Sequence, residues 1–469
     1  RSTQAKTLFP YTTLFRSVSF EVWRETATKL YLPKYFGLRR FGVADNVSID
    51  PGAPLGEDVR FACSMREEQQ VPIKAFKDAA KDPARMGGIL SLPCGFGKTV
   101  MALHLIVELG VKTMVIVHKD FLLSQWRERI AEFIPAARVG LIKAQKIDVA
   151  DKDIVLASVQ SLSMKDYDDN VIFDGIGFLI VDECHRIGSE VFSRSLIKRT
   201  FRYSLGISAT VQRKDGMTKA FMHFLWDILF KGKRREDDVL VVQKRFEDET
   251  PSYRRVESIG MSGNPNVSRM INNIAEHPPR NRAIVECIKH VIEVQPGRRV
   301  LVLSDRKTQL KALKEGLEAA DITAGFYIGG MKPAALAESE TKQVMCATFA
   351  FAAEGMDVPH LDTLVLASPK SDIEQSVGRI LRLKPERRER RPIVIDFVDT
   401  FSLFDRQGSK RRSFYSKFKY RIFGELEEAL DVELGRVAGK DEAGDSEDSE
   451  DSEDSGADVS EIKECLFAD

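Results

Sequence analysis

A chain of 469 residues is too long for a single compact core, and its 43% hydrophobic and 30% charged content is that of an ordinary globular protein. No apolar run approaches the roughly 20 residues that span a bilayer, and no charged-then-apolar stretch resembles a secretion signal, so the expectation is an intracellular, soluble protein of the nucleus, cytoplasm or virion. The formal charge of zero hides a segregation: residues 441–469 hold 13 Asp or Glu against one Lys, leaving 69 basic and 57 acidic residues elsewhere, a net of +12 that suits a polyanionic partner such as nucleic acid.

In chain order, residues 1–17, RSTQAKTLFPYTTLFRS, have neither a helical nor a strand period and are set aside as a possible non-native leader. Residues 18–64 form a mixed apolar and basic preface that includes LYLPKYFGLRRFG. Over 65–235, short apolar runs alternate with helical patterns. The strand candidates are GGILSL from Gly87, TMVIVH from Thr113, DIVLAS from Asp153, FLIVDE from Phe178 and YSLGIS from Tyr203. Their near-continuous apolar character predicts buried parallel strands covered by helices on both faces. The charged KGKRREDD and the polar SGNPN interrupt this rhythm, and 236–270 reads as a linker. The alternation resumes over 271–425 with RRVLVLSD, TAGFYIGG, QVMCATFA, DTLVLASP and RPIVIDFVD, which predicts a second α/β domain. Residues 426–469 read as an acidic, low-complexity tail, disordered where DSEDSEDSEDS leaves too little apolar surface for a core. The six cysteines show no C-x-x-C pair or metal spacing and read as reduced thiols, with no structural zinc expected.

The segment SLPCGFGKTV, Ser91 to Val100, has the end of a phosphate loop but Leu92 where G-x-x-x-x-G-K-[ST] places its first glycine. Its position after a buried strand and before a helix is that of a phosphate loop. Gly95 and Gly97 let backbone N–H groups turn toward phosphate oxygens, Lys98 can reach the β and γ phosphates, and the Thr99 hydroxyl can hold Mg²⁺. Leu92 then reads as the last apolar residue of the strand, and Pro93 stiffens its exit. A second element strengthens the reading: FLIVDECH ends an apolar strand in Asp182 and Glu183, 84 positions after Lys98. Asp182 is the candidate Mg²⁺ carboxylate, and Glu183 the candidate that orients and polarises the attacking water.

These elements and their order resemble the superfamily 2 helicases, which implies two tandem RecA-like domains with ATP and Mg²⁺ in the cleft between them. DECH resembles motif II, and SAT, Ser208 to Thr210, resembles motif III. The resemblance implies that Ser208, Thr210 and His185 couple hydrolysis to domain movement. QSVGRILR resembles motif VI, implying catalytic roles for Gln375, Arg379 and Arg382, the arginines as fingers toward the γ phosphate. REEQQ resembles the glutamine motif, with Gln69 as adenine reader. HKDFLLSQW and SVQSLS resemble motifs Ia and Ib, LSDR motif IV, and ATFAFAAEGMDVP motif V. They imply nucleic-acid contacts at Lys119, Gln125, Gln160, Ser161, Ser304, Arg306 and Thr348, with Gly355 and Asp357 facing the nucleotide.

SATVQRKDGMTKAF is similar to XPB-like and UvsW-like DNA helicases, in which an Arg-x-Asp element follows motif III; here it is Arg213, Lys214 and Asp215, and Arg213 joins the implied DNA contacts. Closer still is the resemblance to poxvirus-type transcript-release helicases and their relatives in other large DNA viruses, carried by LYLPKYFGLRRFG, FYIGGMK and EGMDVPHLDTLVLASPKSDIEQSVGRILR. The function implied is an ATP-dependent DNA helicase or translocase with little base readout. An RNA helicase and an ATPase-dead nucleic-acid-binding scaffold are the rivals, the second opposed by the presence of the lysine, both carboxylates and both arginines. KRRSFYSKFKYRIF, Lys410 to Phe423, could set aromatics and cations along a strand, but reads more readily as the last helix and strand of the second domain with aromatics in its core.

Overall fold

The computed structural model describes residues 22–436 except 94, 166, 186–192, 194, 210–217, 235, 258–264 and 357. A short hairpin, β1 (Arg24–Glu25) and β2 (Leu30–Tyr31), precedes α1 (Lys34–Phe41) and α2 (Glu67–Lys81). The first sheet follows, with β3 (Gly87–Ser91), α3 (Lys98–Leu109), β4 (Thr113–Val117), α4 (Asp120–Phe133), β5 (Val139–Lys143), β6 (Lys146–Asp148), β7 (Ile154–Ser158), α5 (Val159–Met164), β8 (Phe178–Asp182), β9 (Tyr203–Ser208), α6 (Thr218–Leu225) and β10 (Ile228–Lys231). Its strand order is β10-β3-β9-β8-β4-β7-β5-β6, parallel except for the β5–β6 pair.

Every strand expected in this half is present, because its side chains alternate between two cores. Leu90, Val115, Leu156 and Ile180 enter one core, while Ile89, Met114, Val155 and Leu179 enter the other. Burying each such side chain contributes about 1.5–3 kcal/mol, which requires both faces to be covered. The preface is part of this unit: the Tyr35 ring is fully buried, with its hydroxyl 2.6 Å from Ser204 Oγ, and Lys34 Nζ donates to the carbonyls of Phe201 and Arg202.

The second sheet has β11 (Leu240–Phe246), α7 (Val267–Ala275), α8 (Pro278–Val294), β12 (Val300–Ser304), α9 (Lys307–Glu318), β13 (Ala324–Tyr327), α10 (Pro333–Thr341), β14 (Val344–Thr348), α11 (Phe349–Gly355), β15 (Thr363–Leu366), α12 (Glu374–Val377), β16 (Ile393–Asp399), α13 (Ser402–Lys417), β17 (Arg421–Phe423) and α14 (Leu426–Glu433). The order β13-β14-β12-β15-β16-β11-β17 is parallel throughout. The molecule is therefore α/β, with two helix-flanked parallel sheets in succession.

Two expectations need correction. Residues 236–270 are not simply a linker, since β11 lies inside the second sheet, paired from Leu240↔Ile393 to Phe246↔Asp399. Only Leu240, Val241 and Val242 of β11 are fully buried, and acidic neighbours hid so short an apolar run. Ordered structure also extends past 426: Leu426, Ala429 and Leu430 of α14 recur at helical spacing and enter the second core. Tyr415 of α13 and Phe423 of β17 are buried, as is Tyr420 between them, so these aromatics lie in the core, although α14 and not α13 is the last helix.

Candidate active site

β3 delivers the phosphate loop. Leu92 is fully buried and its N–H donates to the Ser208 carbonyl at 2.8 Å, so β3–β9 pairing continues to the loop itself. Gly95 and Gly97 have φ of 79° and 89°, the left-handed region that only glycine enters without strain. A Cβ at Gly95 would meet nothing within 4 Å, whereas one at Gly97 would strike Gln69 Nε2 at 2.4 Å. The open side at Gly95 and the N-terminus of α3 at Lys98 form a cradle suited to phosphate oxygens.

Gln69, expected to read adenine, is placed differently. It is buried beneath the loop, where its carboxamide oxygen accepts the Arg66 N–H at 3.0 Å and its nitrogen donates to the Phe96 carbonyl at 2.9 Å. Arg66 Nη2 donates to the same carbonyl at 2.7 Å. In this structure Gln69 props the phosphate loop, because the capping arrangement at the start of α2 turns its amide inward. Cys94 lies outside the described residues.

β8 and β9 carry the acidic side of the site. Asp182 is buried, its Oδ1 accepting the Glu183 N–H and its Oδ2 accepting the Trp126 indole N–H, both at 2.9 Å. Glu183 has a φ of 49°, a conformation that costs a non-glycine residue about 1–3 kcal/mol and concentrates at functional sites. Its Oε1 lies 3.8 Å from Lys98 Nζ, and its Oε2 accepts from Ser208 Oγ at 3.2 Å. Ser208 Oγ is 2.8 Å from His185 Nδ1, so with the serine proton directed to Glu183 the imidazole N–H donates to the serine oxygen. Lys98, Glu183, His185 and Ser208 thus form one connected set.

Burial, then the Glu183 charge, pushes the Asp182 carboxyl up to about 6. Burial also opposes Glu183 ionisation, but the Lys98 ammonium and the bonds from His185 and Ser208 outweigh it and hold Glu183 below the usual range. Beside the glycine cradle, the Thr99 hydroxyl and Asp182 supply the hard oxygens that Mg²⁺ prefers. Thr210 and Arg213 lie outside the described residues.

The candidate nucleic-acid residues of the first unit sit at the carboxyl ends of β4 and β7. Lys119 caps α4, and Gln125 lies on it, partly exposed. Exposed Gln160 ties the two strand ends together, donating to the His118 carbonyl at 2.7 Å and accepting from Ser158 Oγ at 2.9 Å. Ser161 is a correction: it is buried, and its hydroxyl accepts the Ala144 N–H at 2.8 Å. Ser304 and Arg306 also change. Ser304 is fully buried, bonding Gln309 and the Arg306 N–H, while Arg306 pins α7 through Asn272 and Ser268. Thr348 is partly exposed at the end of β14.

In the second unit, Gln375 lies on α12, followed closely by Arg379 and Arg382. Both arginines donate to the Met356 carbonyl at 2.7 Å, which brings motif VI onto the motif V turn. Gly355 ends α11, and Asp357 lies outside the described residues. Sequence reasoning missed Trp126. A buried indole is donor-only and needs an acceptor, a usable signal in FLLSQW, but nothing local names Asp182 as that acceptor.

Residues 62–213 match the family described as "Type III restriction enzyme, res subunit". "Putative ATP-dependent RNA helicase L396" of Acanthamoeba polyphaga mimivirus is 33% identical over 418 residues, covering 87% of this chain and 78% of that protein. "Probable helicase D10" of Escherichia phage T5 is 26% identical over 385 residues, covering 80% of each. The solved structure of T4 UvsW aligns with 84% of this chain and 87% of its own at 17% identity and a TM-score of 0.32. Among the described residues no helix is long and apolar enough to cross a membrane. The chain belongs to the superfamily 2 helicases, together with helicases of large DNA viruses and phage, and is a nucleic-acid-dependent ATPase.

Proposed function

We propose that this helicase acts on DNA, coupling ATP hydrolysis to translocation or strand separation. The observation that carries the catalytic part is the connected set Lys98–Glu183–Ser208–His185 at the carboxyl edge of the first sheet, with Glu183 held in a strained backbone conformation. Lys98 holds the β and γ phosphates, the Gly95–Gly97 backbone cradles them, and Thr99 and Asp182 hold the metal. Magnesium, when bound, would neutralise part of the phosphate charge. Glu183 orients the attacking water and accepts its proton at a carboxylate oxygen. Ser208 and His185 sense that carboxylate. Arg379 and Arg382 engage the γ phosphate once they exchange the Met356 carbonyl for it, and Gln375 joins them there, so cleft closure and hydrolysis are one event.

Support for DNA comes from the resemblance around SATVQRKDGMTKAF; the net charge of +12 outside the acidic tail suits either nucleic acid. A second reading, RNA, is favoured by the printed name of the mimivirus relative. Strand displacement on matched DNA and RNA duplexes tests the choice: faster DNA unwinding is expected, and preferential RNA unwinding overturns it. A role in viral-type transcription release is tested by ATP-dependent discharge of transcripts from stalled elongation complexes.

A further inference from the structure

α4 touches three functional regions at once. Lys119 at its N-terminus and Gln125 on its second turn are the candidate strand contacts. Phe121 packs against Phe351 of α11 in the second unit, ring centroids 5.4 Å apart and 63° between planes, and Lys119 Nζ lies 5.9 Å from the Phe121 ring. Trp126, only 2% exposed, sends its indole N–H to Asp182 Oδ2 at 2.9 Å. Lys119 and Trp126 are seven residues apart, roughly 10 Å along a helix. Leu122, Leu123, Trp126 and Ile130 seat α4 in the core, so it moves as one rigid piece.

We propose that α4 is the lever by which an engaged strand and the second unit act on the metal-holding carboxylate, with Trp126 as the positioning residue at its end. The inference rests on the reading of Asp182 as that carboxylate and of Lys119 and Gln125 as strand contacts. Asp182 is oriented by two donors, the Glu183 N–H on Oδ1 and the Trp126 indole on Oδ2. The first belongs to its own strand; the second moves with α4. A small rotation of α4, caused by a strand at Lys119 or a shift of Phe351, lengthens or shortens the indole bond and turns the carboxylate. A hydrogen bond to a charged group is among the stronger ones, and coupling between two sites typically changes affinity by roughly 5- to 150-fold, so one such bond can carry the effect. An indole cannot be replaced here by a merely space-filling ring, because the transmitted element is the N–H.

The test is equilibrium binding of the fluorescent nucleotide mant-ADP with Mg²⁺, with and without a single-stranded oligodeoxynucleotide. In the wild type the oligonucleotide is expected to change nucleotide affinity by roughly 5-fold or more, within the usual range of coupling. In Trp126→Phe that ratio is expected to fall to within about 2-fold of one; Mg²⁺-nucleotide affinity alone is expected to weaken by roughly 10–100-fold because Asp182 loses a donor, while oligonucleotide affinity alone stays within roughly 3-fold. Phe121→Ala, which removes the contact with Phe351, is expected to lower the ratio too, while the core variant Ile130→Val keeps it. A wild-type ratio of one, or an unchanged ratio in Trp126→Phe, overturns the proposal. If Asp182→Asn binds Mg²⁺ and mant-ADP as the wild type does, the underlying reading of Asp182 fails first, and that outcome is distinct from a failed lever.

Discussion

The carboxyl edges of the two sheets carry acidic residues in the same architectural position and use them in opposite ways. In the second sheet, Asp396 and Asp399 of β16 are buried and fully engaged. Arg411 Nε and Nη2 bond Asp396 at 2.9 Å, with the Tyr415 hydroxyl at 3.1 Å. Arg280 grips Asp399 at 2.7 and 3.0 Å, and the Tyr253 hydroxyl adds a bond of 2.6 Å. In the first sheet, Glu183 has its cation at 3.8 Å and a left-handed backbone, and burial, then the Glu183 charge, pushes the Asp182 carboxyl up to about 6. Carboxylates whose bonds are complete brace a fold; strained ones with a distant cation wait for charge to arrive.

The comparison can be broken by substitution. Arg379→Ala has the largest expected effect: turnover falls roughly 10³–10⁵-fold while nucleotide binding persists, as for loss of an arginine finger. Single-turnover hydrolysis alongside mant-nucleotide binding checks this, and lost binding with intact turnover per bound ATP contradicts it. Glu183→Gln should lower kcat about 10²–10⁴-fold with little change in ATP affinity.

On the bracing edge, Arg280→Ala should cost about 3–5 kcal/mol of stability, because it leaves Asp399 buried and uncompensated. The urea midpoint measures it, and unchanged stability with lost turnover would erase the distinction between the edges. The smallest effect is the pH response of the nucleotide-free protein. Asp182 is raised in the folded state, so folded protein binds more protons than unfolded between its ordinary value, near 4, and about 6. The stability this group contributes is therefore complete below that window and lost as pH rises through it. Melting temperatures of the wild type and Asp182→Asn should diverge across pH 4–6, with the wild type declining relative to the variant.

Much of this edge is legible in the sequence because it is local. A strand, two glycines, lysine and threonine are contiguous, and Asp182 and Glu183 follow directly from FLIV. Leu92 in place of glycine proved to be the buried end of the strand, its N–H still bonded across to β9. What hid depended on tertiary partners. β11 shows only a half-apolar run and becomes a strand by lying between β16 and β17. Ser161, Ser304 and Arg306 sit at or just beyond strand ends, as functional residues do, yet each is captured by a group that spacing cannot reveal. Gln69 and Trp126 have the same lesson in reverse: neither pattern says which way an amide or an indole turns, and both turn inward to the nucleotide site.

The most direct measurement is ATP hydrolysis by the wild type and Lys98→Ala, each with and without single-stranded DNA. The central claim predicts DNA-stimulated turnover in the wild type and its loss in Lys98→Ala, and full stimulated activity in that variant would contradict it.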